Sequence, residues 1–356
     1  MASARAFIGF VILIFCNHSG AAARAETAQP GLRQFEEASC FHGVQQAGKS
    51  LCIRPGPEEF FKDCPDCPEM VAAPVGAFLM GRPESEVPAL ASASDMHFED
   101  QEIFAKWETP QRKVTIPAPF EVGRTLVTQR QFEAFASATN YRPSHRCSER
   151  EGKEFRELAG VSWQEPPFGW RGDNPAVCLN WYDAEAYVQW LSKITGERYR
   201  LLTESEAEYA ARAGAWTDAR PRIFLGNSAK DRCLYANSSG AAASPSYENW
   251  LVRNEACWGQ IAPAMSFGPN AWGLYDVRGD IWTWTEDCWS PSYSDIPLDG
   301  SANKTGDCGR HSLHGGSWLS LRHGRTAFRD AGRAEFSTVA FGLRVARSLT
   351  ALPPAR

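Results

Sequence analysis

The spacing of apolar residues predicts three helices between residues 128 and 214. The first starts at Thr128 and the third at Thr203, each with a capping box in which Gln or Glu follows three residues later. The second follows Asn180 and is stopped by Gly196. Its apolar stripe, at intervals of three and four residues, comprises Trp181, Ala184, Tyr187, Val188, Leu191 and Ile194.

Short apolar runs predict strands on either side of these helices. Residues 70–80 are expected to form a strand, a turn and a second strand, and the polar stretch 82–113 an exposed loop. Beyond residue 214 the helical periodicity stops. The remaining predicted strands are 114–116, 120–122, 282–285, 317–319, 326–328 and 342–345. The pattern therefore predicts an α+β fold with little regular secondary structure in its second half.

Composition and charge exclude several classes of protein. A chain of 356 residues with 43% hydrophobic content can bury a large core, which excludes wholesale disorder and a small disulfide knot. The 37 Lys and Arg residues against 42 Asp and Glu leave a net charge of −5. Because this balance offers no basic field to a polyphosphate, nucleic acid is not an expected partner.

The first 25 residues have the pattern of an export signal. Arg5 precedes the apolar run 6–16, and Ala23-Arg24-Ala25 is a small-x-small cleavage site. This run falls short of the roughly 20 residues that span a bilayer, so we expect no membrane span and a secreted or periplasmic mature chain. The predicted organisation is a signal peptide at 1–25, a cysteine-bearing lead-in at 26–68, one domain at 69–347 and a tail at 348–356.

Ten of the 11 cysteines follow the signal peptide, and an even number in an exported chain favours disulfides. Spacing leaves the connectivity open. For the motif Cys64-Pro-Asp-Cys67 we favour a structural disulfide over a metal or redox role, because no second CxxC or zinc-spaced His pair accompanies it. Other near-neighbour pairs are Cys40–Cys52, Cys233–Cys257 and Cys288–Cys308.

Nine motifs occur in the order found in one known family. They are MG at 80–81, PQRKV at 110–114, NPAV at 174–177, NWYDA at 180–184, RLLTESEAEY at 200–209, NAWGLYD at 270–276, GDIWTWT at 279–285, GGSW at 315–318 and GLR at 342–344. Together they resemble the formylglycine-generating enzyme (sulfatase-modifying factor) family. The resemblance spans residues 69–347 and implies that family's C-type-lectin-like α+β fold.

The resemblance also implies a chemistry that this sequence departs from. The family oxidises a sulfatase cysteine to formylglycine with copper and oxygen, using two cysteines soon after the Gly-Gly-Ser motif. Ser320 and Arg325 stand at those two positions, and no cysteine follows Cys308. Cu(I) prefers soft sulfur ligands, whereas a hydroxyl is hard and a guanidinium repels a cation. We therefore do not expect the family's standard reaction.

The candidate substrate cleft keeps other family positions. Trp282 and Ser317 match residues that line the family's groove, and Trp318, Ser320 and Arg325 complete the candidate set. The alternative is that the tryptophans are kept by folding alone, since aromatic residues are usually core.

Four arginines follow the Gly-Gly-Ser motif closely, and guanidiniums in such a group need anionic partners or water. They pair either with acids such as Asp330 and Glu335 or with an anionic ligand. The four are Arg322, Arg325, Arg329 and Arg333.

Calcium is also implied by the resemblance. One family site maps onto Asp276, Gly279 and Ile281, with Thr283 in place of the family's Glu, which weakens a hard oxygen-ligand site without abolishing it. A second family site keeps Asn237 but lacks its Asp partner.

Three histidines could hold a redox metal, iron or copper. His311 and His314 could each offer an imidazole, and His323 could join them if the chain turns back. Positions i and i+3 of a strand face opposite sides, so this site requires a loop. The alternative is three ordinary surface histidines.

Two functions from different classes remain. The first is an oxidoreductase that works without the cysteine pair, as the resemblance to the family's pyoverdine-maturation branch implies; that branch is exported and acts on a secreted precursor. The second is a non-catalytic module that holds a peptide, glycan or partner protein in the cleft. The expected partners are accordingly a peptide, a protein or a secreted small-molecule precursor.

Overall fold

The structure is a computed structural model. It describes residues 41–46, 49–53, 59–87, 103, 106–143, 147–151, 154–213, 236–237, 258, 260–319 and 326–349. These residues belong to one compact unit, Ser39–Arg356. The predicted signal peptide at 1–25 lies outside the described residues. Among those described, no helix has the length and apolar character needed to cross a membrane.

Fourteen strands, three α-helices and three short 3-10 helices have their bounds within the described residues. The helices are α1 (Gln129–Thr139), α2 (Trp181–Thr195) and α3 (Glu204–Arg212). The strands are β1 (Phe41–Gln46), β2 (Lys49–Ile53), β3 (Met70–Ala73), β4 (Gly76–Met80), β5 (Arg112–Ile116), β6 (Phe120–Gly123), β7 (Ser148–Glu151), β8 (Glu154–Glu157), β9 (Arg198–Leu201), β10 (Trp282–Trp289), β11 (Asp307–His314), β12 (Arg329–Arg333), β13 (Phe341–Gly342) and β14 (Val345–Ser348).

Two four-stranded sheets organise the fold. The first has the order β3-β6-β14-β9 and is antiparallel throughout. The second has the order β12-β11-β10-β13, with β13 parallel to β10. Three two-stranded ladders, β1-β2, β4-β5 and β7-β8, complete the pairing. Because β14 lies between β6 and β9, the end of the domain is joined to elements from its first half.

The first sheet lies between two hydrophobic cores. Alternate residues of β3 point to opposite faces: Met70 and Ala72 enter one cluster of buried residues, and Val71 and Ala73 enter the other. The larger cluster also contains the aromatic residues Phe132, Phe135, Tyr187 and Trp284, and the smaller contains Phe78, Tyr209 and Trp272. This two-sided burial explains why β3 is apolar at every position.

The three helices begin where the sequence predicts. Thr128, Asn180 and Thr203 each cap a helix with a complete capping box. Gly196 ends α2 in the left-handed conformation, at φ 76°. Four residues of the predicted stripe of α2 are buried, whereas Ile194 at its end is 47% exposed.

The predicted strands of the second half are partly wrong. Residues 317–319 and 326–328 contain turns, and the next strand begins only at Arg329. The left-handed Gly315 and Gly316, at φ 97° and 78°, end β11 and prevent a continuing strand. Residues 82–113 are not exposed throughout either, since Arg82 and Glu108 form a buried ion pair at 2.6 Å.

Three disulfides lie within the described residues. Cys64–Cys67 and Cys288–Cys308 are confirmed, and Cys147–Cys178 was not predicted. Of the remaining candidates, Cys40, Cys233 and Cys257 lie outside the described residues, as do the side-chain positions of Cys52. Disulfides of this number are compatible with an oxidising, extracellular location.

Candidate functional site

The Gly-Gly-Ser-Trp motif forms a turn at the end of β11. The amide of Gly279 donates to the carbonyl of Gly315 at 2.7 Å, and the amide of Trp318 donates to the carbonyl of Asp280 at 2.8 Å. Loop 276–281 therefore holds both ends of this turn. The chain beyond it carries Ser320 and Arg325, which lie outside the described residues.

The groove tryptophans are packed behind this turn. Trp318 is 1% exposed and meets Trp170 edge-on, with ring centroids 5.8 Å apart. Trp282 is 7% exposed and lies 4.8 Å from the ring of Phe328. Ser317, which precedes Trp318 in the sequence, is also buried. These side chains are packed in the interior, so the predicted role of Trp282, Ser317 and Trp318 as an exposed lining does not fit their burial.

A buried ion cluster joins α3 to strands β11 and β12. The carboxylate of Glu204, at the first position of α3, meets the Nε of Arg329 at 2.5 Å. His314 Nε2 donates to the same carboxylate at 3.2 Å, and the hydroxyl of Ser312 donates at 3.0 Å. Burial raises the pKa of Glu204, but Arg329 and these hydrogen bonds outweigh it and hold the pKa below its usual value.

Two of the four clustered arginines have acidic partners within the protein. Arg329 pairs with Glu204 and not with its neighbour Asp330. Arg333 pairs with Glu335 at 3.0 Å on the surface. Arg322 and Arg325 lie outside the described residues.

Asp287 on β10 is a second buried acid that sequence reasoning missed. Its carboxylate accepts from the amides of Glu204 and Asn303, both at 2.8 Å. Burial, together with the charge of Glu204, raises the pKa of Asp287 to about 8. The sequence signal for this cluster is Glu204 in the first turn of α3, which is a different acid from Glu206 of the capping box.

The predicted histidine site is not assembled by the described residues. His311 and His314 both lie on β11, three positions apart, and thus on opposite faces of the strand. His311 stacks on Trp181 with ring centroids 4.0 Å apart, and its Nδ1 donates to the carbonyl of Asp287 at 3.1 Å. His323 lies outside the described residues, within which no three His, Cys, Asp or Glu side chains form a metal-binding group.

The residues of the first predicted calcium site include an acceptor without a hydrogen-bond partner. Asp276 is buried, and its Oδ2 accepts from the amide of Met265 at 3.2 Å. Its Oδ1 is buried with no hydrogen-bond partner. Burial, which Arg344 and the Met265 amide only partly offset, raises the pKa of Asp276 to about 6. A hard cation fits such a donor, so the arrangement is compatible with calcium.

Asp280 and Asn237 adjoin this position. Asn237 Nδ2 donates to Asp280 Oδ1 at 2.8 Å, and the amide of Ala262 donates to the same oxygen at 2.9 Å. Burial and the charge of Asp276 raise the pKa of Asp280 well above its usual value. Sequence reasoning set Asn237 aside and did not consider Asp280, although Asp280 lies within the recognised motif at 279–285.

Comparisons with known proteins cover most of the chain. The family model of the sulfatase-modifying factor enzyme 1-like domain matches residues 57–349. The formylglycine-generating enzyme of Thermomonospora curvata is 29% identical over 298 residues, covering 74% of this chain and 87% of that protein. The inactive C-alpha-formylglycine-generating enzyme 2 of Mus musculus is 25% identical, covering 74% of this chain and 78% of that protein.

A solved structure extends the likeness to three dimensions. PvdO from Pseudomonas aeruginosa matches with a TM-score of 0.64 and 32% identity, over 82% of this chain and 99% of that one. The predicted α+β fold and family resemblance are confirmed. The chain belongs to the sulfatase-modifying factor enzyme 1-like family, whose named members include the formylglycine-generating enzymes.

Proposed function

We propose that this protein is an exported oxidoreductase that acts on a secreted precursor without the family's thiol pair. The reaction removes two electrons and two protons from the substrate and passes them to dioxygen, which leaves as hydrogen peroxide. One observation supports the proposal: loop 276–281 anchors the Gly315–Trp318 turn through two backbone hydrogen bonds, and the family resemblance puts Ser320 and Arg325, in place of the thiols, in the segment that follows it.

The arginines indicate the kind of substrate. Arg329 and Arg333 are paired with Glu204 and Glu335, so these two guanidiniums are neutralised within the protein. Arg325 follows the anchored turn and occupies a former catalytic position. A guanidinium there favours a precursor that carries a carboxylate, which it can bind through two parallel hydrogen bonds. Peptides and peptide-derived small molecules have this chemistry.

The test is a comparison of exported small molecules and peptides by mass spectrometry. Cells that lack the gene should accumulate a species two hydrogens heavier than its counterpart in cells that carry it. Purified mature protein added with oxygen should convert the heavier species and release an equal amount of peroxide. The Arg325→Gln variant should convert it poorly, whereas the Arg333→Gln variant should match the unaltered protein. Absence of any such pair of species would overturn the proposal.

A binding module is the second candidate, and two observations favour it. Trp282 and Trp318 are buried in ring contacts, which fits selection for folding alone. The mouse relative named as an inactive formylglycine-generating enzyme supports a non-catalytic member of this family. In this case an exported ligand would bind the purified protein and be recovered from it chemically unchanged.

We also propose calcium as a structural cofactor at Asp276, with backbone carbonyls of Gly279 and Ile281 as further ligands. The buried, unpartnered Oδ1 of Asp276 supports this assignment. Calcium would neutralise charge in loop 276–281 and make the loop more rigid. This loop anchors the Gly315–Trp318 turn. It takes no part in electron transfer.

A further inference from the structure

We infer that Asp280 and Asn237 join Asp276 in one buried calcium site that stiffens the wall of the cleft. This inference rests on the calcium proposal and is independent of the oxidation reaction. It differs from the family pattern, which places Asn237 in a separate site and assigns no ligand role to position 280.

Three unpartnered oxygens carry the inference. Asn237 Oδ1, Asp276 Oδ1 and Asp280 Oδ2 are all buried without a hydrogen-bond partner. A buried acceptor that is left without a donor is destabilising, and native structures rarely keep several together. Coordination to a cation would remove this cost for each oxygen, and the three residues are linked, since Asn237 donates a hydrogen bond to Asp280 and Asp276 interacts electrostatically with Asp280.

Hydrogen bonds fix the orientation of the two new residues. Asn237 Nδ2 donates to the carbonyl of Gln260 at 2.6 Å and to Asp280 Oδ1 at 2.8 Å. Because both partners are acceptors, the amide cannot be turned over, and Oδ1 must be the free atom. Asp280 Oδ1 already accepts two hydrogen bonds, one from Asn237 and one from the amide of Ala262, which leaves Oδ2 for a ligand.

The backbone brings these side chains together. Asp276, Gly279 and Asp280 all have left-handed backbone angles, with φ of 53°, 69° and 61°. This winds the loop tightly, and a Cβ at Gly279 would lie 2.9 Å from the carbonyl carbon of Asn237. The amide of Asp280 donates to the Asn237 carbonyl at 2.9 Å. The backbone of Asn237 therefore packs directly against the loop that carries both aspartates.

Charge selects the class of ligand. Asp276 and Asp280 interact electrostatically while buried, and their mutual repulsion is relieved by a cation between them. The buried Arg344 lies beside Asp276 but donates its hydrogen bonds to backbone carbonyls, including that of Asp276. Two carboxylates, an amide oxygen and nearby carbonyls are hard, irregularly placed donors. Calcium accepts such a set, whereas magnesium requires a near-ideal octahedron.

The site is coupled to the cleft by direct hydrogen bonds. The carbonyl of Asp280 accepts from the amide of Trp318, and the amide of Gly279 donates to Gly315. A cation held by Asp280 therefore restrains the turn that precedes Ser320. Calcium should order this part of the cleft even when no substrate is present.

The test is calcium titration by calorimetry on mature protein that has been stripped with EDTA. We expect one calcium per chain, and terbium(III) should bind in its place with tryptophan-sensitised emission. Asp280→Asn and Asp276→Asn should each weaken calcium binding at least tenfold, since each removes one carboxylate ligand. The matched control Asp299→Asn removes an exposed carboxylate and should bind as the unaltered protein does.

Hydrogen exchange on the unaltered protein covers the case in which a variant does not fold. Calcium should slow the exchange of the amides of Ala262, Asp280 and Trp318 relative to EDTA. No calcium binding would overturn both the calcium proposal and this inference. Binding that Asp276→Asn weakens and Asp280→Asn leaves unchanged would overturn the inference alone. Neither result bears on substrate oxidation, which the comparison of exported species tests separately.

Discussion

Replacing Arg329 should destabilise this protein far more than replacing Arg333 on the same strand. Arg329 is fully buried, with its Nε 2.5 Å from Glu204 and its guanidinium over the rings of Trp289 and Tyr293 at 4.3 and 4.6 Å. Arg333 is exposed and pairs with the exposed Glu335. The change Arg329→Met removes the cation and leaves the Glu204 carboxylate buried.

The expected free-energy losses follow from this difference in burial. Breaking a buried ion pair by removing one partner costs about 3–5 kcal/mol, because the remaining charge stays desolvated. Removing one partner of an exposed pair costs about 0–1 kcal/mol. The variant Arg329→Met should therefore lose several times more stability than Arg333→Met. Because Glu204 is also the charge that Arg329 compensates, adding Glu204→Gln to Arg329→Met should recover part of the loss.

The assay is equilibrium urea unfolding followed by tryptophan fluorescence. With a slope of about 3 kcal/mol/M, the loss in Arg329→Met corresponds to a midpoint lower by about 1–1.7 M. The midpoint of Arg333→Met should move by about 0.3 M or less. Equal midpoints for the two variants, or no recovery in the double variant, would refute the conclusion that the buried pair of Arg329 and Glu204 stabilises the fold.

Three further predictions address other parts of the fold. Burial lowers the pKa of His311 from 6.5 to about 4. The contribution of the neutral His311 to stability should therefore be fully present above pH 6.5 and decrease as the pH falls towards 4. In thermal melts across this range, the melting temperature of His311→Gln should fall less steeply than that of the unaltered protein. Gly332→Ala should cost about 1–3 kcal/mol in urea unfolding, because the new methyl group would overlap the ring of Trp284. Replacing Cys147 and Cys178 by Ser should cost about 3–4 kcal/mol, as expected for a cross-link with a separation of 31 residues, and a non-reducing peptide map should show this pair.

Local signals in the sequence were sufficient to place the helices. The capping boxes at Thr128 and Thr203 join a side chain to an amide three residues away, so the determinant and the structure lie in the same short segment. Ile194 shows the limit of this reasoning. It continues the apolar stripe of α2, but it lies in the last turn, where the helix extends past the core, and is exposed.

The contacts that define the site are not local, and the sequence could not reveal them. Arg329 pairs with Glu204, 125 positions away, although Asp330 is its immediate neighbour. Adjacent residues of a strand face opposite sides of the sheet. The side chains of Arg329 and Asp330 therefore point away from each other, although the two residues are neighbours in the sequence. The choice of Glu204 depends on how α3 packs on the second sheet.

The disulfides show the same distinction. The near-neighbour rule found Cys288–Cys308, because β10 and β11 are adjacent antiparallel strands that bring the two cysteines together. It missed Cys147–Cys178, which joins two irregular segments that no sequence pattern places side by side. Spacing predicts a disulfide only where the intervening chain has a predictable path.

The most direct test of the central claim is the family's own reaction. Mature protein should be incubated with a sulfatase-type cysteine peptide, Cu(I) and oxygen, and the peptide analysed by mass spectrometry, with the Thermomonospora curvata enzyme as the positive control. Because the family resemblance puts Ser320 and Arg325 at the positions of the catalytic thiols, we expect the cysteine to remain unchanged in every sample of this protein. Conversion of that cysteine to the aldehyde would contradict it.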